Sequence, residues 1–162
     1  MKRIIAIFML AVLAAGAVPA LSAKDKKDVK TKDITTLVSS YKGKDGFTVL
    51  SIGKFAMSMV TKLTKVADDP EAVKIMEGLD KMVIVEYCDA DQAVKEEFTG
   101  KISQALKGAE TIMSVKEGGE SMNMYGTISD TGAAIDDLII FVPEDCALIC
   151  FFGKISAEVM GF

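Results

Sequence analysis

Histidine and tryptophan are both absent from this chain of 162 residues. Histidine is the usual general base near neutral pH and the commonest transition-metal ligand in proteins. Its absence therefore excludes serine–histidine–aspartate triads and zinc sites built on imidazole. The sequence also lacks the phosphate-binding motif G-x-x-x-x-G-K-[ST] and the hydrolase motif G-x-S-x-G. No catalytic residue, cofactor or metal ion is predicted on these grounds.

Cysteine is scarce, with three residues in the whole chain: Cys88, Cys146 and Cys150. Cys146 and Cys150 lie in one apolar run that is predicted to be a strand, where four residues span about 13 Å, too far for a disulfide between them. In an oxidising compartment one disulfide is possible, joining Cys88 with either Cys146 or Cys150. The alternative is three buried free thiols. No C-x-x-C motif indicates a redox-active thiol.

The first 23 residues have the pattern of a secretory signal peptide. Lys2 and Arg3 precede an apolar run over residues 4–15, and small residues follow up to Ala23. Cleavage is predicted after Ala23 or after Ala20. A run of about 12 residues is too short to span a bilayer, which takes about 20. The mature chain is therefore predicted to be periplasmic or secreted, without a transmembrane span and without a lipid-anchor cysteine at the cleavage site.

The charge of the chain is acidic, with 19 Lys and Arg against 23 Asp and Glu. Loss of Lys2 and Arg3 with the leader leaves 17 cations and a net charge of −6. An acidic domain has no electrostatic attraction to nucleic acid, so no nucleic-acid partner is expected. Residues 24–32 alternate lysine with aspartate and are predicted to be a charged flexible linker.

The hydrophobic pattern after the linker predicts one α+β domain over residues 33–162. Amphipathic helices are predicted at 33–42, at 54–66 (with Phe55 and Met59 buried), from Asp69-Pro70 to Gly78, and from Asp89 to 106. Strands are predicted at 47–52, 81–88, 110–116, 121–129, 134–142 and 147–155. Short turns join the last four strands. The expected fold is an antiparallel-dominated sheet with a C-terminal four-strand meander and helices packed on one face.

The order of these elements resembles a known family. The leader precedes an amphipathic helix, a strand over Phe47–Lys54, a strand over Met82–Tyr87 and a meander ending in Phe152-Gly153-Lys154-Ile155. This arrangement is similar to the DUF4252 family of small exported proteins of Bacteroides-type bacteria, over about residues 33–160. The resemblance implies that many relatives carry a lipid-anchoring cysteine at the cleavage site, where this chain has alanine. The resemblance implies an exported location and a fold, but no reaction.

Two functions from different classes fit this sequence. The first is a non-enzymatic cell-envelope module that binds another protein or a small apolar ligand through one face of its sheet. Its predicted interaction surface is a set of large apolar residues, for which the alternative is plain core packing. These residues are Tyr125, Met124, Phe141, Phe151 and Phe152.

The second function is a hydrolase or isomerase that uses acidic and hydroxyl side chains. It is suggested by paired acids at Asp68-Asp69, Glu96-Glu97, Asp136-Asp137 and Glu144-Asp145. Neighbours in sequence rarely face one another, so these pairs are predicted to be solvated charges at turns and element ends.

The methionines of Met57-Ser58-Met59 and Met122-Asn123-Met124 suggest a Cu(I) site with thioether ligands. The preferred interpretation is that these flexible side chains fill gaps in the core.

Overall fold

The structure, a computed structural model, describes residues 30–56, 58–59, 77–117 and 119–156. Within these ranges two helices are long enough to shape the core, α1 (Thr31–Tyr41) and α2 (Gln92–Ala105). Six strands accompany them. They are β1 (Thr48–Gly53), β2 (Leu79–Glu86), β3 (Thr111–Glu117), β4 (Glu120–Ile128), β5 (Ala134–Val142) and β6 (Ala147–Ser156).

All six strands pair antiparallel in one sheet of order β1-β2-β6-β5-β4-β3. The turns between β3, β4, β5 and β6 are short, so each strand reverses beside the one before it. β2 pairs with the other side of β6, where Val83 lies opposite Cys150. The α+β class, the antiparallel sheet and the C-terminal meander predicted from the sequence are confirmed.

Both long helices pack on the same face of this sheet. In α1 the buried residues Ile34, Val38 and Tyr41 recur at the spacing of one helical stripe. In α2 the stripe is Phe98 and Ile102. The two stripes join one apolar cluster with alternate residues of β2, β5 and β6. At the centre of this cluster the rings of Tyr41, Phe47, Tyr87 and Phe98 have centroids 4.8–5.7 Å apart.

The opposite face of the sheet carries a second buried cluster. Its members are the other alternate residues of β4, β5 and β6, among them Met124, Ile140 and Phe151. The central strands are thus apolar on both faces. This explains why β6 is buried without interruption from Ala147 to Phe152.

A bulge in β5 changes which side chains face each cluster. Asp137 has a left-handed backbone (φ 53°), and the register with β6 shifts between Asp136 and Leu138. Its carboxylate accepts hydrogen bonds from the Thr31 hydroxyl (2.6 Å) and the Gly153 backbone N–H (3.0 Å). The extra residue lets Ile135 and Leu138 face the same cluster despite their odd spacing. Asp137 therefore connects the N-terminal end of α1 and Gly153 of β6 to the bulge of β5.

Several boundaries differ from the predictions. α1 begins at Thr31, so Asp33 lies in its first turn, and the N-cap of α2 is Asp91. Residues 54–56 and 58–59 are helical, but Phe55 is 81% exposed and Met59 is 55% exposed. The prediction that these two side chains are buried was wrong, because this segment continues past the edge strand β1.

Other predicted features lie outside the described residues. They are the signal peptide, the linker up to residue 29, residues 60–66 of the second predicted helix, and the helix from Asp69-Pro70 up to residue 76. No helix in the described part of the chain has the length and hydrophobicity needed to cross a membrane.

Candidate functional site

A groove opens between α1 and strands β1, β2 and β6, on the helix-covered face of the sheet. Its volume is about 170 Å³. The apolar part of its lining is formed by Val38, Val49, Val83, Cys150 and Phe152. These residues come from four elements and meet because Val83 lies opposite Cys150 in the sheet and α1 crosses above them.

The polar part of the lining consists of hydroxyls and cations. Thr35 and Ser39 lie on α1, Ser51 lies on β1, and Lys42 follows the end of α1, while Lys81 lies on β2. The hydroxyl side chains are too short to fill the space between the helix and the sheet, which leaves the groove open.

The two lysines of the groove form no ion pair with a carboxylate in the described part of the chain. The ion pairs of the described residues are Lys30–Asp33, Lys54–Asp80, Lys101–Glu97 and Lys154–Asp136. Neither Lys42 nor Lys81 forms one. Lys42 stands at the C-terminal end of α1, where a cation offsets the partial negative charge of the helix end. Lys81 is half-buried on β2.

Cys150 lies at the bottom of the groove and is fully buried. Burial raises the pKa of its thiol to about 12, although the nearby Lys81 acts in the opposite direction. The thiol therefore stays protonated at neutral pH. Since the thiolate is the nucleophilic form of cysteine, this residue packs as a small apolar side chain.

The groove also contains a serine–lysine spacing that the sequence reasoning missed. Ser39 and Lys42 form an S-x-x-K pattern, as do Ser51 and Lys54. The Ser39 hydroxyl donates to the Thr35 carbonyl at 2.8 Å, and Lys54 contacts Asp80 at 2.6 Å. In neither pair does the lysine contact the serine hydroxyl that it would have to activate, so the geometry is not that of a serine–lysine hydrolase.

The paired acids take part in structural contacts where they are described. Glu97 on α2 accepts from the Tyr41 hydroxyl at 2.8 Å and pairs with Lys101. The hydrogen bonds from Lys101 and Tyr41 lower the pKa of Glu97, which keeps this carboxylate ionised. This network ties α1 to α2.

The remaining described acid pairs behave in the same way. Asp136 pairs with Lys154, and Asp137 holds the bulge of β5. Glu144 accepts from the Ser121 hydroxyl at 2.8 Å. Asp68-Asp69 lies outside the described residues. No group of three or more Cys, Asp or Glu in the described ranges is placed to hold a metal ion.

The residues of the predicted interaction surface are distributed over both faces of the sheet. Tyr125, Phe141 and Phe152 pack toward the helices, and Met124 and Phe151 pack in the opposite cluster. Four of them are at most 7% exposed, and Tyr125 is half-buried. In this fold they act as core, which is the alternative weighed for them from the sequence. Met122 is likewise buried beside Met124.

Comparison with known proteins assigns the family. The family model described as "Domain of unknown function (DUF4252)" matches residues 41–161. The chain belongs to the DUF4252 family. No curated protein and no solved structure matches this chain. The family match includes Lys42, Lys81 and Cys150 of the groove, whereas Thr35, Val38 and Ser39 precede it. The DUF4252 resemblance predicted from the sequence is thus confirmed.

Proposed function

We propose that this DUF4252 chain is an exported cell-envelope domain that binds a small ligand without chemical turnover. The ligand would combine a short apolar body with an anionic group such as a carboxylate. The observation that carries the proposal is the groove, where an apolar floor lies beside the half-buried and unpaired ammonium of Lys81.

The lining of the groove complements both the apolar body and the anionic group of the proposed ligand. Val38, Val83 and Phe152 offer apolar surface, so an aliphatic chain placed against them leaves water. Lys81 supplies a cation that no described carboxylate neutralises, and the hydroxyls of Ser39 and Ser51 line the same space. An anion gains a charge-assisted hydrogen bond there, which is stronger than a bond between neutral groups.

The size of the groove limits the ligand. Pockets for drug-sized ligands are typically about 300–1,000 Å³, and this groove is about 170 Å³. A fragment of fewer than ten heavy atoms, or one end of a longer molecule, fits this volume.

No carboxylate lines the groove among the described residues, so nothing there favours the alternative hydrolase or isomerase.

Export is supported by the sequence of the first 23 residues. The sequence matches the three parts of a signal-peptide pattern: the cations Lys2 and Arg3, the apolar run over residues 4–15, and the small residues up to Ala23. We expect the mature chain in the periplasm or outside the cell. N-terminal sequencing of the protein recovered from the envelope and the medium tests this: a mature chain that begins at Lys24 or Leu21 is expected, and a retained Met1 contradicts it.

Binding is tested with three probes of equal length and different charge. Hexanoate, hexanol and hexylamine are titrated into the purified chain, with calorimetry or NMR shifts of groove residues as the readout. Hexanoate should bind most tightly and hexylamine least. Lys81→Met should weaken hexanoate binding by roughly tenfold, the low end expected for a charge-assisted hydrogen bond, and leave hexanol unchanged.

A second lysine provides the matched control. Lys107 is exposed just beyond α2 and outside the groove, so Lys107→Met removes the same charge without touching the site. It should bind hexanoate like the unmodified chain. Equal binding of hexanoate and hexylamine, or equal effects of the two substitutions, contradicts the proposed site.

A further inference from the structure

The fold brings two of the three cysteines together at the end of the sheet where β2 stops and β6 begins. Cys88 lies in the turn after β2, which closes with a hydrogen bond from Ala90 N–H to the Tyr87 carbonyl. Cys146 ends the turn between β5 and β6. The Tyr87 N–H donates to the Cys146 carbonyl at 3.0 Å, so the two turns lie side by side.

The two side chains meet in this arrangement. The Cys88 thiol donates to the carbonyl of Asp145, the residue before Cys146, at 3.2 Å, and it lies close enough to the Cys146 thiol to raise the pKa of Cys146. Both residues are half-buried. The partners are 58 positions apart in the chain, so their contact is a product of the tertiary fold.

The backbone at Cys146 gives an independent reason to look for a role of its side chain. Its φ of 49° is in the left-handed region, where glycine or asparagine is the usual residue because a β carbon is strained there. Cysteine brings no local advantage to such a turn. Its presence is accounted for if the thiol makes a contact that outweighs the strain.

Cys150 is excluded as the partner of either cysteine. It lies opposite Val83 on β2 and opposite Ile139 on β5. Val83 is five residues from Cys88, a distance of about 16 Å along a strand. Since a disulfide requires α carbons within about 7 Å, Cys150 cannot reach Cys88 without unpairing the sheet.

We propose that Cys88 and Cys146 form an intramolecular disulfide and that Cys150 remains a free, buried thiol. Each of the two thiols loses a proton and one electron as the S–S bond forms. A small-molecule disulfide such as oxidised glutathione accepts the two electrons and two protons and leaves as two thiols. The bond closes a loop that contains α2 and strands β3, β4 and β5.

The surroundings favour a stable structural bond over a catalytic one. Burial, together with the neighbouring Cys88 thiol, raises the pKa of Cys146 to about 12. Catalytic dithiols show the opposite shift, because their attacking thiol must be a thiolate near neutral pH. The pair is therefore expected to persist once formed.

The test counts free thiols in the full chain. The reduced protein is incubated with oxidised glutathione and then unfolded in N-ethylmaleimide, and its intact mass is measured. One alkylated thiol and no bound glutathione are expected, against three after reduction. Three alkylated thiols, or glutathione attached in place of a bridge, overturns the proposal.

Variants identify the partners. Cys150→Ala should still form the bond and show no free thiol, whereas Cys88→Ser should show two. Cys146→Gly should also show two, and glycine suits the left-handed backbone, so this variant keeps the fold. A bridge that survives in Cys146→Gly overturns the proposed pairing.

Stability provides a second measurement on the same proteins. Reduction of the oxidised chain should lower the ratio of folded to unfolded protein by between about 30-fold and about 1,000-fold, as expected for a bond that closes a long loop. Reductant should leave Cys88→Ser unchanged. An equal effect of reductant on both proteins contradicts a bond between Cys88 and Cys146.

Discussion

Replacing Gly46 with alanine should destabilise the fold much more than the same change at Gly43, although both glycines lie in the loop between α1 and β1. Both have a left-handed backbone, with φ of 75° at Gly46 and 85° at Gly43. They differ in surroundings. A β carbon at Gly43 meets nothing within 4 Å, whereas one at Gly46 falls 2.2 Å from the backbone nitrogen of Ala90.

The common cost of the two substitutions is backbone strain. Alanine in a left-handed conformation costs about 1–2 kcal/mol, and the lower entropy of its unfolded chain returns about 0.4–1 kcal/mol. Gly43→Ala should therefore lower the free energy of unfolding by about 1 kcal/mol.

Gly46→Ala adds a steric cost. Real β carbons almost never approach a heavy atom closer than 3.0 Å, so the turn that contains Ala90 has to move away by about 0.8 Å. That turn connects β2 to α2 and packs beside the aromatic cluster. Overpacking of this kind costs about 1–3 kcal/mol, so the total loss at Gly46 should be about 2–4 kcal/mol.

Urea unfolding followed by circular dichroism measures both values, with equal m-values as the sign that the same transition is compared. Losses that agree within about 0.5 kcal/mol at the two positions would show that the turns of Gly46 and Ala90 are not in close contact, and the reasoning would fail.

Three further predictions concern the core, the bulge and the tyrosines. Phe98→Ala removes the ring at the centre of the aromatic cluster and should lower the free energy of unfolding by about 3–5 kcal/mol. Leu50→Ala changes a half-exposed position and should lower it by less than about 1 kcal/mol. Similar losses for the two variants would contradict the described core. Asp137→Ala should cost about 2–4 kcal/mol, because it removes two hydrogen bonds to a carboxylate at a left-handed residue, and Asp137→Asn should recover part of that loss in the same urea assay. Burial raises the pKa of Tyr87 to about 12. The contribution of its neutral phenol to the free energy of unfolding should therefore be fully present below pH 10.0, the ordinary pKa, and should be lost as the pH rises through about 12. Tyr87→Phe should reduce that loss, and a tyrosinate absorbance step of the native chain centred at pH 10 would refute the burial, since the pKa values of Tyr41 and Tyr125 are also raised.

The strands of the meander could be predicted closely from sequence. β5 was predicted at residues 134–142 and is found at Ala134–Val142, and β6 was predicted at 147–155 and is found at Ala147–Ser156. Their apolar runs are bounded by turn residues, among them Pro143-Glu144-Asp145. Because such short connections permit only antiparallel neighbours, local information is sufficient for this half of the sheet.

The candidate site could not be predicted in the same way. The groove joins residues of α1, β1, β2 and β6, and these become neighbours only because β2 pairs with the far side of β6. Lys81 directly precedes the apolar run Met82–Val85 of β2, but Asp80 and Glu86 are also charged, so a lysine in this strand is a weak local signal. Nothing in the chain near Lys81 indicates that α1 will cross above it.

The sequence alone was sufficient to exclude imidazole chemistry and to predict the family, the α+β class and the bounds of most strands. Each of these depends on residue type or on short-range periodicity. Tertiary structure alone decided three other matters. It placed Phe141 and Phe152 in the core, it brought Cys88 to Cys146 and kept it from Cys150, and it left Lys81 beside an apolar groove. The physical reason is common to all three, since burial and contact depend on which distant segments pair, and that choice minimises the free energy of the whole fold rather than of any one segment.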